Sequence, residues 1–442
     1  MGVFLKNDNQ QDQGSFIGLI PLIFFLVLYI SCGVISGNFE AMPLLIAMSL
    51  ATMVALAIPH HHETLEEKLT IFFKGAGQET MMLMIVIFML AGAFYYVTKS
   101  MHAVDAVTTL GLTFLPKQFI IPGVFVLGCL ISFAMGTSMG TVAALMPIAA
   151  NIGQLAHINL ALLAGVVVSG AMFGDDLSLI SASAIISAKT QGVTIFEKFK
   201  TNAIMVLPAF LLTTVALAFV PVATVSLGHL APLQWLNLLP YVVVIVLSFL
   251  NINVLIVLLL GIVTAILIGL SHGDFTLFQS LTLLNKGILS MADVSFISIV
   301  VGGLAELMTH MGGIQWLLTK LTQHARGKIG GKFSIAFLVL LLDVITTNNT
   351  VSIMIAGPIS ERLSKTYQIS PSYTASILDI YSCVGQGLIP YGAQLLMAGS
   401  IVGVSATAIV PYSWYCMSLF VISSLFLLSP YSPKVSTNSN PT

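Results

Sequence analysis

Apolar residues run along this chain in stretches of about twenty, divided by short polar segments. That is the length a helix needs to cross about 30 Å of hydrocarbon. The stretches predict spans at 16–35, 41–58, 79–97, 158–190, 201–221, 234–250, 253–270, 293–310, 371–403 and 411–429. Two of them, 158–190 and 371–403, are too long for one ordinary helix. Each is interrupted by glycine and polar residues, Gly174-Asp175-Asp176 in the first and Gly385-Gln386-Gly387 in the second. Both are predicted to be single helices broken within the membrane at those residues. Backbone freed by such a break must line a cavity or be buried against protein.

Two other apolar segments look too short to cross. Between Lys332 and the polar cluster Thr346-Thr347-Asn348-Asn349-Thr350 lie only residues 334–345, which rise about 18 Å as a helix. The apolar run 351–359 is shorter still and meets Glu361-Arg362. Segment 333–365 therefore predicts a re-entrant hairpin with a polar tip. Segment 119–153 predicts another, with its tip at Gly136-Thr137-Ser138-Met139-Gly140. A pair of ordinary spans kinked at small residues is the plainer alternative for each.

A shift of 211 residues superposes these features. Gly92 falls on Gly303, Gly136-Thr137-Ser138 on Thr347-Asn348-Asn349, Pro147 on Pro358 and Gly174 on Gly385. Each half then holds five spans and one hairpin. Five is odd, so the second half enters the membrane inverted, an arrangement common among secondary transporters. The predicted fold is an all-α polytopic membrane protein with about ten transmembrane helices and two re-entrant hairpins, in two inverted repeats. The repeats are 16–222 and 223–430, between a segment 1–15 and a tail 431–442.

Composition and charge sharpen this picture. Of 442 residues, 57% are apolar and 7% charged, against roughly 25% charged in soluble domains. Mean hydropathy is +1.01. Too few charges remain to cover a soluble surface, and a net charge of −1 points to no nucleic-acid partner. Residues 1–15 are polar, and no small-residue cleavage site follows the first apolar run, so no signal peptide is expected. Walking through the spans places Lys99, Lys117 and Lys286 on one side and the other thirteen Lys and Arg on the opposite side. The basic side is the cytoplasm, so both termini are cytoplasmic. The four cysteines read as apolar packers. His60-His61-His62-Glu63 reads as a cytoplasmic loop, and Gly327–Lys332, which lacks phosphate-loop spacing, as an interfacial one. Amphipathic stretches such as Leu65–Lys74, Ala103–Leu115, Leu277–Ile288 and Ile314–His324 are expected in the interface.

Ionisable groups inside a membrane are costly, and those that remain mark candidate function. They are Asp175 and Asp176 at the first break, Asp343 beside the second tip, Glu306 and Asp379. On this reading no Lys or Arg reaches the centre, so the site is acidic or neutral and suits a small cation and protons. Where short helices meet, carbonyls and the oxygens of Thr137, Ser138, Asn348, Asn349 and Thr350 suit Na⁺, and the N–H ends suit a carboxylate. Gly136 permits close backbone approach. Asp175 is the first candidate to bind Na⁺ and H⁺ in turn; a helix cap for the second half of the broken span is its bland alternative. Asp176 serves equally well on this reading, and Asp343 is either a ligand or a tip-stabilising acceptor. Glu306 and Asp379 read as structural partners of Ser, Thr or Tyr on other helices. Gly174, Ser178, Asp379, Tyr381, Gly385, Gln386 and Gln394 are candidates to contact substrate or line freed backbone. No catalytic constellation is found, so no enzyme is expected.

The segment Met172-Phe173-Gly174-Asp175-Asp176-Leu177-Ser178-Leu179-Ile180-Ser181, with Lys189-Thr190-Gln191-Gly192-Val193, resembles the NhaC-type Na⁺/H⁺ antiporter family. Gly136-Thr137-Ser138 is similar to that family's Gly-Thr-Ser signature. The Asn348-Asn349-Thr350 tip is similar to the sodium-binding tips of the wider ion-transporter superfamily, which includes Na⁺/dicarboxylate symporters. The resemblance implies a secondary transporter of the bacterial inner membrane that exchanges Na⁺ for H⁺ by an elevator-like movement. It implies no cofactor beyond those ions, lipid as surroundings, and the homodimer common in that superfamily. Members often continue the Gly-Asp motif with Ser-Asp-Thr-Thr, whereas this chain has Ser181-Ala182-Ser183-Ala184. That departure opens the alternative of a Na⁺-coupled symporter or exchanger of an amino acid or small carboxylate.

Overall fold

A computed structural model describes residues 14–36, 41–59, 63–103, 106, 109, 116–179, 181–222, 234–250, 252–324 and 327–429. The tail 431–442, most of 1–15, His60–His62, most of Ala103–Leu115 and Ile180 lie outside the described residues. Every regular element among the described residues is a helix. In chain order the main ones are α1 (Ile20–Ser36), α2 (Leu44–Ala57), α3 (Leu65–Ala76), α4 (Glu79–Ser100), α5 (Ile120–Met135), α6 (Ser138–Leu155), α7 (Leu160–Leu177), α8 (Ala182–Thr190), α9 (Ile195–Ala218) and α10 (Leu239–Phe249). They continue with α11 (Val254–His272), α12 (Leu277–Ser290), α13 (Ala292–His310), α14 (Gly313–His324), α15 (Gly327–Thr346), α16 (Asn349–Thr366), α17 (Pro371–Leu388), α18 (Ala393–Val402) and α19 (Trp414–Leu428). The helices that start after polar loops carry their own caps. Thr64 with Glu67, Thr194 with Glu197 and Thr276 with Gln279 form capping boxes, which satisfy backbone N–H groups at the first turns of α3, α9 and α12.

Seven described helical segments are long and apolar enough to cross a membrane, and an eighth is the pair Pro371–Val402 and Ala406–Tyr412, bent by 101°. Shorter apolar helices, such as Leu44–Ala57 and Trp414–Leu428, accompany them. Helix starts recur at the shift of 211: Ser138 and Asn349, Leu160 and Pro371, Ala182 and Ala393.

Two expectations about boundaries change. The Gly327–Lys332 segment is the first turn and a half of α15, not an interfacial loop. Its 20 residues rise about 30 Å, so the segment before the second tip is not short. Gly331 lies against Tyr367, where a Cβ would come within 2.7 Å of the ring. Lys332 is buried, donates to the Ser429 carbonyl at 2.8 Å and sits 4.9 Å over the Tyr373 ring. A lysine whose charge is met this way continues a helix that hydropathy alone would end there.

The second change concerns the breaks. Gly174-Asp175-Asp176 and Gly385-Gln386-Gly387 are not the breaks themselves but the last turns of α7 and α17. The chain opens just after them, past Leu177 and past Leu388. Ser181 then caps α8 by accepting from the Ala184 N–H.

The chain divides into two compact units, neither of them a sequence half. The first comprises 1–78 and 299–325. Here α1 packs on α2, and Lys68 closes the end of α2 by donating to the carbonyls of Leu56, at 3.1 Å, and Ile58. Glu306 accepts from Lys74 at 3.0 Å and Gln78 at 3.1 Å, so its partners are an ammonium and an amide, not the hydroxyls expected. His310 meets Glu63 at 2.7 Å.

The second unit comprises 79–298 and 326–442. At its centre stand α7 and α17, buried on nearly every side. Their small residues make this possible: Gly170 lets α7 approach the α5 backbone, with Phe125 O at 2.8 Å from where a Cβ would lie. Helix α5 packs on α6 and α7, and α15 packs on α16 and α17, so the two groups of three are built alike.

Candidate functional site

Both tips turn by the same backbone device. Helix α5 ends at Gly136, in the left-handed region at φ 63°, with its N–H on the Ser132 carbonyl at 2.9 Å. Helix α15 ends at Thr347, also left-handed at φ 50°, with its N–H on the Asp343 carbonyl at 2.7 Å. One extended residue follows in each case, Thr137 or Asn348, and the next helix begins. Glycine holds this conformation freely; a β-branched residue does so at a cost. Thr347 is held by its own Oγ1, which donates to the Thr346 carbonyl at 2.8 Å, and by Gln386, whose Nε2 donates to the Thr347 carbonyl at 3.2 Å.

The two tips and the starts of α8 and α18 border a cavity of about 160 Å³. Leu83, Met84 and Ile87 of α4 form its apolar wall. Its polar lining is Thr137, Ser138, Asp175, Ser181, Ser183, Asn348, Asn349, Thr350, Gln386 and Gln394. Gly136 and Thr347 line it as well. One hydrogen-bonded chain crosses it. Gln386 Nε2 donates to the Thr347 carbonyl and to Gln394 Oε1 at 2.9 Å; Gln394 Nε2 donates to Ser138 Oγ at 3.0 Å; the Ser138 N–H donates to Asp175 Oδ1 at 3.1 Å. This chain joins the second tip to the first tip and to the acid. Asp175 does not cap α8, since Ser181 does. Asn348 caps α16 by accepting from the Val351 N–H at 3.1 Å.

The other predicted residues stand behind this lining. Asp176 accepts from the Tyr415 hydroxyl at 2.7 Å, and Asp379 is buried among α7, α9 and α17. Gly174 faces Ser132, and Gly385 faces Asp343, whose Oδ2 lies 2.7 Å from where a Cβ would be. Positions 132 and 343 are again 211 apart. Asp343 is fully buried; Ser352 donates to its Oδ1 at 3.4 Å and its Oδ2 has no partner among the described residues. Ser178 donates to the Phe133 carbonyl at 3.3 Å. Tyr381 pairs with Ser424 at 2.9 Å and is not among the cavity-lining residues.

One residue overturns the expectation that no basic group enters the polar centre. Lys198 is 1% exposed, ion-paired with Asp379, and donates to the Asp176 carbonyl at 2.9 Å. Asn202 donates to the same carbonyl at 2.8 Å and to Asp379 Oδ2 at 2.9 Å. The Asp176 carbonyl is one that α7 leaves without a helical partner where it ends, so both donors complete the break. The residue escaped because Glu197, Lys198 and Lys200 read as a loop before a span at 201. In fact α9 starts at Ile195, and a four-carbon stem carries the ammonium inward. The i, i+4 spacing of Lys198 and Asn202, on the face that continues through Met205 and Ala209, is the signal that marks it.

The family model described as the Na⁺/H⁺ antiporter family matches residues 14–222 and again 213–431. The chain is 25% identical over 457 residues to the Na⁺/H⁺ antiporter NhaC of Bacillus subtilis, covering 95% of this chain and 98% of that one. It is 24% identical over 355 residues to the malate-2H⁺/Na⁺-lactate antiporter of the same organism, covering 72% and 75%. Among solved structures, the YdaH transporter of Alcanivorax borkumensis aligns with a TM-score of 0.43 at 15% identity, covering 93% and 98%.

Proposed function

Because the chain belongs to the Na⁺/H⁺ antiporter family, we propose that it is a secondary transporter exchanging Na⁺ for H⁺, with Asp175 binding each in turn. The observation that carries this reading is the placement of Asp175. It is the acidic side chain among the described cavity-lining residues, in a cavity that hydroxyl and amide side chains of both tips also line. Such oxygens replace the water around a hard cation. Ser138, Asn348, Asn349, Thr350 and Thr137 are the proposed neutral ligands. Lys198 supports the assignment, because its ammonium neutralises Asp379 and leaves Asp175 as the carboxylate facing the cavity.

The reading includes alternating access around the two tips, ten spans in two inverted repeats, and cytoplasmic termini on the bacterial inner membrane. Its supports are the matched tip conformations, the helix starts at a constant shift of 211, and a family match on each half. A second reading, a Na⁺-coupled carrier of an amino acid or small carboxylate, is favoured by one observation. The cavity is larger than a dehydrated Na⁺ requires and is rich in uncharged amides.

The test uses purified protein in liposomes holding a pH dye. An imposed Na⁺ gradient, in either direction, is expected to drive an opposite proton flux. Absence of any Na⁺-driven pH change, in vesicles shown to hold folded protein, would falsify the antiport reading.

A further inference from the structure

The hydrogen-bonded chain across the cavity has a direction, and one group sets it. The Thr347 carbonyl can only accept. It takes Gln386 Nε2 at 3.2 Å, so the Gln386 amide is turned with its nitrogen toward the second tip. That nitrogen also donates to Gln394 Oε1 at 2.9 Å, so Gln394 is turned with its own nitrogen toward the first tip. Gln394 Nε2 donates to Ser138 Oγ at 3.0 Å and occupies one of its two lone pairs. The Ser138 hydroxyl hydrogen must then point elsewhere, and the Asp175 side chain interacts with that hydroxyl. The Ser138 N–H donates to Asp175 Oδ1 as well. One lone pair of Ser138 Oγ is left for a cation.

Two further observations show that this direction is imposed. Thr347, Gln386, Gln394 and Ser138 are all buried, and Gln386 Oε1 has no partner among the described residues. A buried acceptor without a donor is destabilising. Turning the amide over would be worse, since it would set Oε1 against the Thr347 carbonyl and Gln394 Oε1. The protein thus tolerates one empty oxygen to keep the nitrogen where it is. The crossing is also unmatched by the other half. The counterpart of Gln394 at the shift of 211 is Ser183, whose hydroxyl pairs with Ser181 of its own half at 3.3 Å. The second half therefore orients a residue of the first tip across the cavity, through a carbonyl that the left-handed turn at Thr347 presents.

We propose that Gln386 and Gln394 are positioning residues that make Na⁺ affinity at the first tip depend on the second. They act through Ser138. A hydroxyl offers a cation either a lone pair, which attracts it, or a hydrogen, which repels it. With the second tip in place, Gln394 fixes the first arrangement. With the Thr347 carbonyl withdrawn, neither amide is held, and the Ser138 hydroxyl turns freely. Tight Na⁺ binding then requires both tips at once, although the charge that binds the ion comes from one half. The inference rests on the reading of Asp175 and Ser138 as the Na⁺ site and adds what sets the affinity there.

The experiment is a double-mutant cycle on Na⁺ affinity, read by titration calorimetry of the purified protein with NaCl and as the Na⁺ KM of exchange in liposomes. Gln394→Met is expected to weaken Na⁺ binding about tenfold, the worth of one oriented hydrogen bond. Gln386→Met, which does not touch Ser138, should weaken it severalfold. Ser138→Ala should weaken it at least as much as Gln394→Met. The double variant Gln394→Met with Ser138→Ala should bind no more weakly than Ser138→Ala alone, because the amide then has nothing to orient. The kcat of exchange in Gln394→Met should stay within about twofold of wild type, whereas a misfolded fraction would lower kcat and leave KM unchanged. Thermal unfolding reports whether each variant folds. Additive losses in the double variant would overturn the proposal, as would a folded Gln394→Met with unchanged Na⁺ affinity; both results leave the antiport reading standing. Non-additive losses in protein that shows no Na⁺-driven pH change would support the proposal and sink the antiport reading. No Na⁺ binding by wild type in either measurement would overturn both.

Discussion

The two tips share a backbone and differ in chemistry. Gly136 and Thr347 adopt the same left-handed turn, and each packs beside a helix ending in a glycine-containing motif. Yet the residue that α7 presents to the cavity is the carboxylate of Asp175, and its α17 counterpart is the amide of Gln386. Behind the tips, Ser132 meets Gly174 where Asp343 meets Gly385. Architecture is duplicated while charge is not. A copied scaffold places polar groups from both halves in one cavity, and divergence at single positions leaves a carboxylate from one half and an amide from the other.

The largest expected effect comes from removing the acid half. Asp175→Asn should cut Na⁺-driven proton exchange by about a hundredfold, the equivalent of roughly 3 kcal/mol. If the two frames are interchangeable, adding Gln386→Asp to that variant should restore measurable exchange. A folded double variant with no recovery would show that the halves are alike in backbone only.

Next is the buried ion pair. Lys198→Met leaves Asp379 uncompensated and should lower stability by about 3–5 kcal/mol. Asp379→Asn in the same chain should return most of the loss, read as the thermal unfolding midpoint in detergent. If the single variant unfolds like wild type, the pair does not hold α9 to α17.

Glycine packing should separate the halves more gently. At Gly174 a Cβ would overlap both backbone and side chain of Ser132; at Gly385 it would meet only the Asp343 side chain. Gly174→Ala is expected to cost more than about 2 kcal/mol whatever stands at 132. Gly385→Ala should be largely rescued by Asp343→Ala. Equal behaviour of the two in unfolding experiments would contradict the described contacts.

The smallest effect is at the tips themselves. Gly136→Thr should cost about 1–2 kcal/mol for a side chain in the left-handed region. Thr347→Gly should change stability by less than about 1 kcal/mol, because relief of strain offsets glycine's greater unfolded entropy. A larger loss for Thr347→Gly than for Gly136→Thr would mean that the hydroxyl, not the turn, holds the second tip.

Much of this is legible in the amino-acid sequence. The tip at Gly136-Thr137-Ser138, its counterpart at Thr347-Asn348-Asn349 and the candidate Asp175 all follow from where polar residues interrupt apolar runs. Of the predicted residues, Thr137, Ser138, Asp175, Asn348, Asn349, Thr350, Gln386 and Gln394 come together at the cavity. Asp176 and Tyr381 do not, because they leave α7 and α17 from other faces than Asp175 and Gln386; Asp379 and Asp343 do not, because they lie two turns and one turn further back along their helices. Lys198 was hidden by its charged neighbours, and the start of α15 by Lys332, since hydropathy alone treats a lysine as the end of a span.

The amino-acid sequence by itself determined the helical membrane class, the antiporter resemblance, the spacing of 211 and the positions of the tips. Each of these depends on local backbone demand: length against a bilayer, glycine at a turn, polar residues where the ladder of helical bonds stops. Only the tertiary structure decided which polar groups became partners. Lys198 with Asp379 and Gln394 with Ser138 are distant in the chain, and nothing local distinguishes them from other buried polar residues. Their pairing follows from the requirement that every polar group taken out of water find a partner wherever packing happens to bring one.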